Sequence, residues 1–268
     1  MREGSAFTRH NDGDLAYIHN GVESGTPVVF LHGFGDMAEC WLGLINRLQL
    51  DLPIYALDAP AHGYSRVFSD VEYTNQIARR AAAFIRDLGR PVILVGHSMG
   101  ALQSMHIAGD VPPFVRAMVL EDPPIAQDLA PWRDPQTIAI LGGWIRKLQR
   151  LTPDEAMAKA REQHPAWDDV EFEPWVRSKH LLDTTFVGEF QIHREPMDVT
   201  LPRITCPTLV LTGDPELGAI ITADNAAWAS TLCSTLVFAH FPGASHDVHR
   251  DRAAAVADVV RTFLREHA

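Results

Sequence analysis

The sequence predicts an α/β fold: a mostly parallel, doubly wound sheet with a helical cap inserted late in the chain. Three observations carry that reading. Short, continuously apolar runs alternate with segments of helical spacing, and unbroken apolar runs mark strands buried on both faces. Several of these runs end in glycine-rich or acidic turns, at the carboxyl ends where such sheets bind ligands. From about Ile125 to Leu201 the runs stop and helical spacing takes over, with prolines as punctuation. The expected division is a core of residues 1–124 and 202–268 carrying a cap of residues 125–201.

Leu15 to His19 reads as a first strand, closed by a turn at Asn20-Gly21. Val28 to Leu31 is an apolar run that enters His32-Gly33-Phe34-Gly35-Asp36. Trp41 to Leu50 has helical spacing, Ile54 to Asp58 is the next strand, and Ala59 to Ser65 is a loop. Tyr73 to Leu88 reads as a long helix with an alanine-rich face. Val92 to Val95 is a buried strand that meets Gly96-His97-Ser98-Met99-Gly100, after which Ala101 to Ala108 resumes as a helix. Val115 to Leu120 is a strand ending at Glu121-Asp122-Pro123-Pro124. In the inserted region Thr152 caps a helix that opens on Pro153. That region holds four of the six tryptophans: Trp132, Trp144, Trp167 and Trp175. They read first as the cap's own core, with one or two rings reaching an apolar cleft. Thr208 to Leu211 then runs into Thr212-Gly213-Asp214-Pro215-Glu216. Leu236 to Ala239 runs into Phe241-Pro242-Gly243-Ala244-Ser245-His246, and residues 251–266 close the chain as an amphipathic helix.

A chain of 268 residues, 46% of them hydrophobic, suits one large domain or one domain with an insertion. A formal charge of −11 without a dense Lys/Arg cluster argues against a nucleic-acid or anionic-membrane partner. Arg146, Lys147 and Arg150 read as a solvated helix face. No apolar run reaches the length of a membrane span, and Met1 to Asn20 lacks the apolar core of a signal peptide. Cys40, Cys206 and Cys233 are odd in number and widely spaced, which fits thiols in a reducing compartment better than a disulfide frame or zinc site. The expectation is a cytoplasmic protein with a small-molecule substrate, no cofactor and no metal. The sequence does not give the oligomeric state.

The chemistry centres on Ser98. Strand, G-x-S-x-G and helix together describe a sharp turn that lifts a serine hydroxyl above the sheet at a helix N-terminus. A serine hydroxyl needs a base within hydrogen-bond reach, and the base needs an orienting acid. His246, late in the chain and after a strand and a turn, is placed to be that base; His240 and His249 are rivals that read better as solvated loop histidines.

Leu31 to Gly35, Asp58 to Ser65, Gly96 to Gly100 and Pro242 to His246 together resemble the α/β-hydrolase superfamily, over essentially the whole chain. The resemblance implies Ser98 as nucleophile, His246 as general base, and the backbone N–H groups of Phe34 and Met99 as the oxyanion hole. It makes His32 and His97 structural neighbours. Ala61 stands where the family commonly has glycine. The acid has several candidates. Asp122, 24 residues after Ser98, ends the strand before the cap, a placement similar to some haloalkane dehalogenases and lactone-cleaving hydrolases of the zearalenone type. Asp214 is the alternative acid, near the end of the strand after the cap, and Glu216 and Glu121 follow. The implied activity is cleavage of a carboxylic ester or lactone with an apolar portion. A carbon–carbon bond hydrolase or perhydrolase would use the same triad, and a non-catalytic receptor would keep only the pocket. Ser98 excludes the aspartate-nucleophile chemistry that also occurs on this fold.

Overall fold

The computed structural model describes residues 7–66, 73–127, 135–185 and 195–268. Trp132 and the rest of residues 128–134 and 186–194, all within the expected cap, lie outside them. Eight strands form one sheet: β1 (Thr8–Asp12), β2 (Leu15–His19), β3 (Val28–Leu31), β4 (Ile54–Leu57), β5 (Val92–His97), β6 (Val115–Glu121), β7 (Thr208–Thr212) and β8 (Leu236–His240). Their order is β1-β2-β4-β3-β5-β6-β7-β8. β1 and β2 pair antiparallel, β2 pairs antiparallel with β4, and every pairing from β4 to β8 is parallel.

Leu15 to His19 is therefore the second strand and not the first. β1, Thr-Arg-His-Asn-Asp, has no apolar run and is mostly exposed. It forms because β2 offers its free edge, with Thr8 opposite His19.

The inner parallel strands, β3 to β7, are buried on both faces, whereas the edge strand β8 is largely open, with Val237 exposed. Val29, Leu31, Leu94, Met118 and Leu120 point to one side, against α2 (Tyr73–Asp87), α3 (Met99–Asp110) and α8 (Ala223–Leu232). Val28, Phe30, Ile93, Val95 and Val119 point to the other, against α1 (Leu42–Leu48) and α10 (Ala253–His267). Alternate residues of one strand thus fill two cores, which explains why the runs are continuously apolar. The helix expected over 251–266 divides into α9 (Val248–Asp251) and α10, because Arg252 leaves the helical region at φ −130°.

Between β6 and β7 the described chain is helical: α4 (Pro135–Gln149), α5 (Pro153–Gln163), α6 (Asp169–Leu181) and α7 (Met197–Thr200). Thr152 caps α5 reciprocally: its hydroxyl accepts from Glu155 N at 3.3 Å and Glu155 Oε2 accepts from Thr152 N at 2.8 Å. Trp167, Phe172, Trp175, Leu148 and Val176 form a separate apolar cluster, so two of the tryptophans serve the insertion's own core. Trp144 is more than a third exposed and sits 5.9 Å from Trp175. Trp167 Nε1 donates to Asp251 Oδ1 at 2.9 Å, tying the insertion to α9. Arg146, Lys147 and Arg150 are exposed. Among the described residues no helix is long and apolar enough to cross a membrane.

Candidate active site

Ser98 joins β5 to α3 with φ 50° and ψ −109°, a strained conformation for a residue with a Cβ. The glycines around it explain how the chain reaches that turn. A Cβ on Gly96 would lie 2.5 Å from the Gly100 carbonyl oxygen, and one on Gly100 would overlap the Leu31 carbonyl. The first turn of α3 therefore rests directly on β3 and β5. Ser98 N donates to the Glu121 carbonyl at 2.9 Å, which fixes the turn to the end of β6. Met99 is the first residue of α3, so its N–H belongs to the unpaired donors of a helix N-terminus. The loop after β3 runs along the serine: a Cβ on Gly33 would sit 2.6 Å from His97 Nδ1 and 3.4 Å from Ser98 Cβ. Phe34 follows in that loop and packs on Ile145 and Leu182 of the insertion.

His246 Nδ1 lies 2.6 Å from Asp122 Oδ2. Asp122 is fully buried and directly follows β6. Its Oδ2 also accepts from Ile220 N at 2.7 Å and its Oδ1 from Ile221 N at 3.1 Å. Three donors thus hold one carboxylate in place. Like Ser98, Asp122 is a non-glycine residue at positive φ, 39°. Burial alone would push the His246 imidazole down, but the Asp122 hydrogen bond and charge raise it above its ordinary value. The His246 carbonyl accepts from His97 Nε2 at 3.1 Å, and the two rings are 4.6 Å apart. His97 follows Gly96 on β5 and immediately precedes Ser98, so it bridges the serine turn and the histidine loop. Burial holds the His97 imidazole below its ordinary value, in keeping with a neutral structural role. Among the described residues, no hydrogen bond joins Ser98 Oγ to the imidazole in this conformation; such bonds often tighten only when substrate binds.

The other candidate acids are engaged elsewhere. Asp214 pairs with His240 Nε2 at 3.0 Å and accepts from Gly243 N at 2.7 Å, so it braces the loop that leads to His246. Glu216 is exposed. Glu121 accepts from His249 N and faces His249 Nδ1, each at 2.8 Å. His249 is consequently not a solvated loop histidine: it is 2% exposed and carries its own carboxylate. His240 is about half exposed, but it ends β8 and pairs with Asp214, so it is not a loop histidine either. Ala61 adopts φ 65°, the left-handed conformation that favours glycine, and its carbonyl accepts from Asp183 N at 3.0 Å. Cys40 is no competing nucleophile, since burial pushes its thiol up to about 12.

Comparison with known proteins agrees with this architecture. The model of the alpha/beta hydrolase family matches residues 28–259. The chain belongs to that family. This α/β hydrolase is 30% identical over 220 residues to the lipase LipV of Mycobacterium tuberculosis, covering 81% of this chain and 80% of that protein. It is 31% identical over 138 residues to a pimeloyl-[acyl-carrier protein] methyl ester esterase of Vibrio parahaemolyticus, covering 50% of this chain and 52% of that one. The crystal structure of E-2-(acetamidomethylene)succinate hydrolase superposes with a TM-score of 0.78 at 23% identity, covering 97% of this chain and 99% of that one. That likeness is one of fold.

The sequence reading of the α/β hydrolase missed one cluster beside the loop that carries Phe34. Lys179 Nζ, on α6, donates to Asp36 Oδ1 at 2.6 Å and to the Gly35 carbonyl at 2.9 Å. Arg250 donates to Asp36 Oδ2 at 2.8 Å and pairs with Asp247, next to His246. Arg250 Nε is 3.6 Å from Glu171 Oε2, again on α6. Burial alone would raise the Asp36 carboxyl, yet Arg250 and Lys179 hold it well below the usual carboxylate range. The signal was present in the sequence: Glu171, Trp175 and Lys179 recur every fourth residue, on one helix face. Asp36, His97 and Asp247 also offer ligand atoms within 4.8 Å of one another, as a metal site would. The set fits a metal poorly, because Lys179 and Arg250 already balance both carboxylates at hydrogen-bond distance.

Proposed function

We propose that this chain is a serine hydrolase of carboxylic esters or lactones with an apolar portion. The observation that carries the reading is the 2.6 Å contact between His246 Nδ1 and Asp122 Oδ2. It fixes the imidazole with Nδ1 protonated, which leaves Nε2 free to act as a base. Ser98 Oγ attacks the substrate carbonyl as His246 Nε2 takes its proton. The oxyanion that forms accepts hydrogen bonds from the Phe34 and Met99 N–H groups. Collapse breaks the carbonyl–oxygen bond, and His246 returns the proton to the leaving alcohol. Water, deprotonated by His246, then attacks the acyl-serine; collapse releases the carboxylic acid and restores Ser98.

The surroundings support an apolar substrate. Phe34, Ile145 and Leu182 form an apolar contact over the oxyanion loop. The buried cations beside that loop, Lys179 and Arg250, are already paired with Asp36 and Asp247. Neither offers a vacant partner for a substrate carboxylate. Likeness to a lipase over 81% of the chain supports an ester linkage. We place the insertion over the strand ends as a cap, since Lys179 and Ile145 meet Gly35 and Phe34 there.

Hydrolysis of p-nitrophenyl esters by the full chain and by Ser98→Ala tests the reading. Turnover by the native chain and its loss in a folded Ser98→Ala support it. Undiminished turnover in Ser98→Ala removes the serine mechanism. A screen of aryl esters, short-chain esters and macrocyclic lactones then sorts the substrate class.

A further inference from the structure

The cluster around Asp36 is built unlike a stabilising device. Asp36, Lys179, Arg250 and Glu171 carry four charges, each side chain at most 6% exposed. Burying charges costs solvation that their mutual attraction barely recovers, and apolar packing of the same volume does as well or better. The local backbone also yields to it. Gly43 has no Cβ because Glu171 Oε1 occupies that space. Gly35 takes φ 80° to present its carbonyl to Lys179.

The cluster connects three elements. Its two ends, Glu171 and Lys179, lie on α6. Its middle, Asp36, closes the turn that carries Phe34, through Asp36 N to the Gly33 carbonyl at 3.1 Å. Arg250 reaches Asp247, adjacent to His246. One inserted helix therefore grips both the loop that would supply an oxyanion N–H and the loop that supplies the base. We infer that Lys179 is a positioning residue, which holds the 33–36 turn through the Gly35 carbonyl and Asp36 so that the Phe34 N–H meets the developing oxyanion. The inference rests on the serine reading above. It makes the insertion part of the catalytic geometry and not only a cover.

Lys179→Arg tests it. The substitution keeps the charge opposite Asp36, so a role in charge balance alone leaves turnover unchanged. A planar guanidinium on a different stem does not reproduce one ammonium donating to both Gly35 O and Asp36 Oδ1. The expected result is a fall in kcat of about 10- to 100-fold, since small misplacements of this kind are worth that much. KM should change less than about threefold, because substrate binding does not use the oxyanion contact. Phosphonylation of Ser98 by a fluorophosphonate should slow by the same factor as kcat, and the pH midpoint of His246 should stay in place. The double variant Lys179→Met/Asp36→Asn removes the tether without stranding a charge and should match the loss. Wild-type kcat and phosphonylation rate in folded Lys179→Arg overturn the inference while leaving the serine reading intact. Failure of Ser98 to label in the native chain, by contrast, removes the serine reading itself.

Discussion

Asp122→Asn is the sharpest perturbation of the proposed triad. The carboxylate has three partners: His246 Nδ1 at 2.6 Å, Ile220 N at 2.7 Å and Ile221 N at 3.1 Å. An asparagine can occupy the site in two ways. With its oxygen at the Oδ2 position it keeps His246 and Ile220 but turns its NH2 toward the Ile221 N–H. With its NH2 at Oδ2 it keeps Ile221 but opposes Ile220 and donates to His246 Nδ1. Each placement keeps two hydrogen bonds and strands one backbone donor, so the fold loses about 1–3 kcal/mol either way. Neither placement wins decisively, and the native tautomer of His246 is no longer enforced. In the second placement Nε2 carries the proton and cannot accept one from Ser98. The negative charge that stabilises the imidazolium is absent in both. The expected fall in kcat is about 10⁴-fold, or about 5.5 kcal/mol of lost transition-state stabilisation. Steady-state hydrolysis of a p-nitrophenyl ester measures it, with circular dichroism as the folding control. Asp214→Asn should stay within about threefold of the native rate, because Asp214 braces His240 and Gly243 and does not reach His246. A folded Asp122→Asn with near-native turnover, beside an inactive Asp214→Asn, would refute the assignment.

Other outcomes follow from the same geometry. The base must be neutral to accept a proton, and Asp122 raises its pKa above the ordinary 6.5. The acid limb of kcat/KM should therefore have its midpoint above 6.5 and rise with pH; a midpoint clearly below 6.5 contradicts the pairing. Gly100→Ala drives a Cβ into the Leu31 carbonyl and should cut kcat by at least about 100-fold as the Ser98 turn shifts. Among the described residues a Cβ on Gly143 of α4 meets nothing within 4 Å, so Gly143→Ala should stabilise the chain by about 0.5–1 kcal/mol in urea unfolding, at unchanged kcat. Trp175→Ala empties the core of the insertion, where Trp175 is 4% exposed, and should cost about 3–5 kcal/mol in the same unfolding experiment. A loss under about 1 kcal/mol would mean the cluster collapses without it.

The turn around Ser98 was legible because its cause is local. A strained φ next to two backbone contacts demands glycine at fixed offsets, and the residues state that demand directly. The inner parallel strands were legible because burial on two faces leaves their runs almost wholly apolar, as in β3 and β4. The proposed acid was only half legible. Asp122, Asp214, Glu216 and Glu121 all lie at or just beyond strand ends, and the spacing along the chain does not rank them. What singles out Asp122 is its contact with His246 across 124 residues of chain, which no local pattern records. β1 was missed because an edge strand needs a partner's hydrogen bonds and no apolar face. His249 was misread because a histidine in a polar run looks solvated until Glu121 is folded against it. Lys179 and Glu171 were missed because charged residues on a surface-type helix ordinarily face water. Here a four-residue repeat shared with Trp175 turned them inward.

Peptide mapping after treatment of the intact chain with a fluorophosphonate addresses the mechanism at its first covalent step. One adduct on Ser98, absent from folded Ser98→Ala and formed far more slowly in His246→Ala, is the expected result. An unmodified Ser98 in a chain that still hydrolyses esters would contradict it.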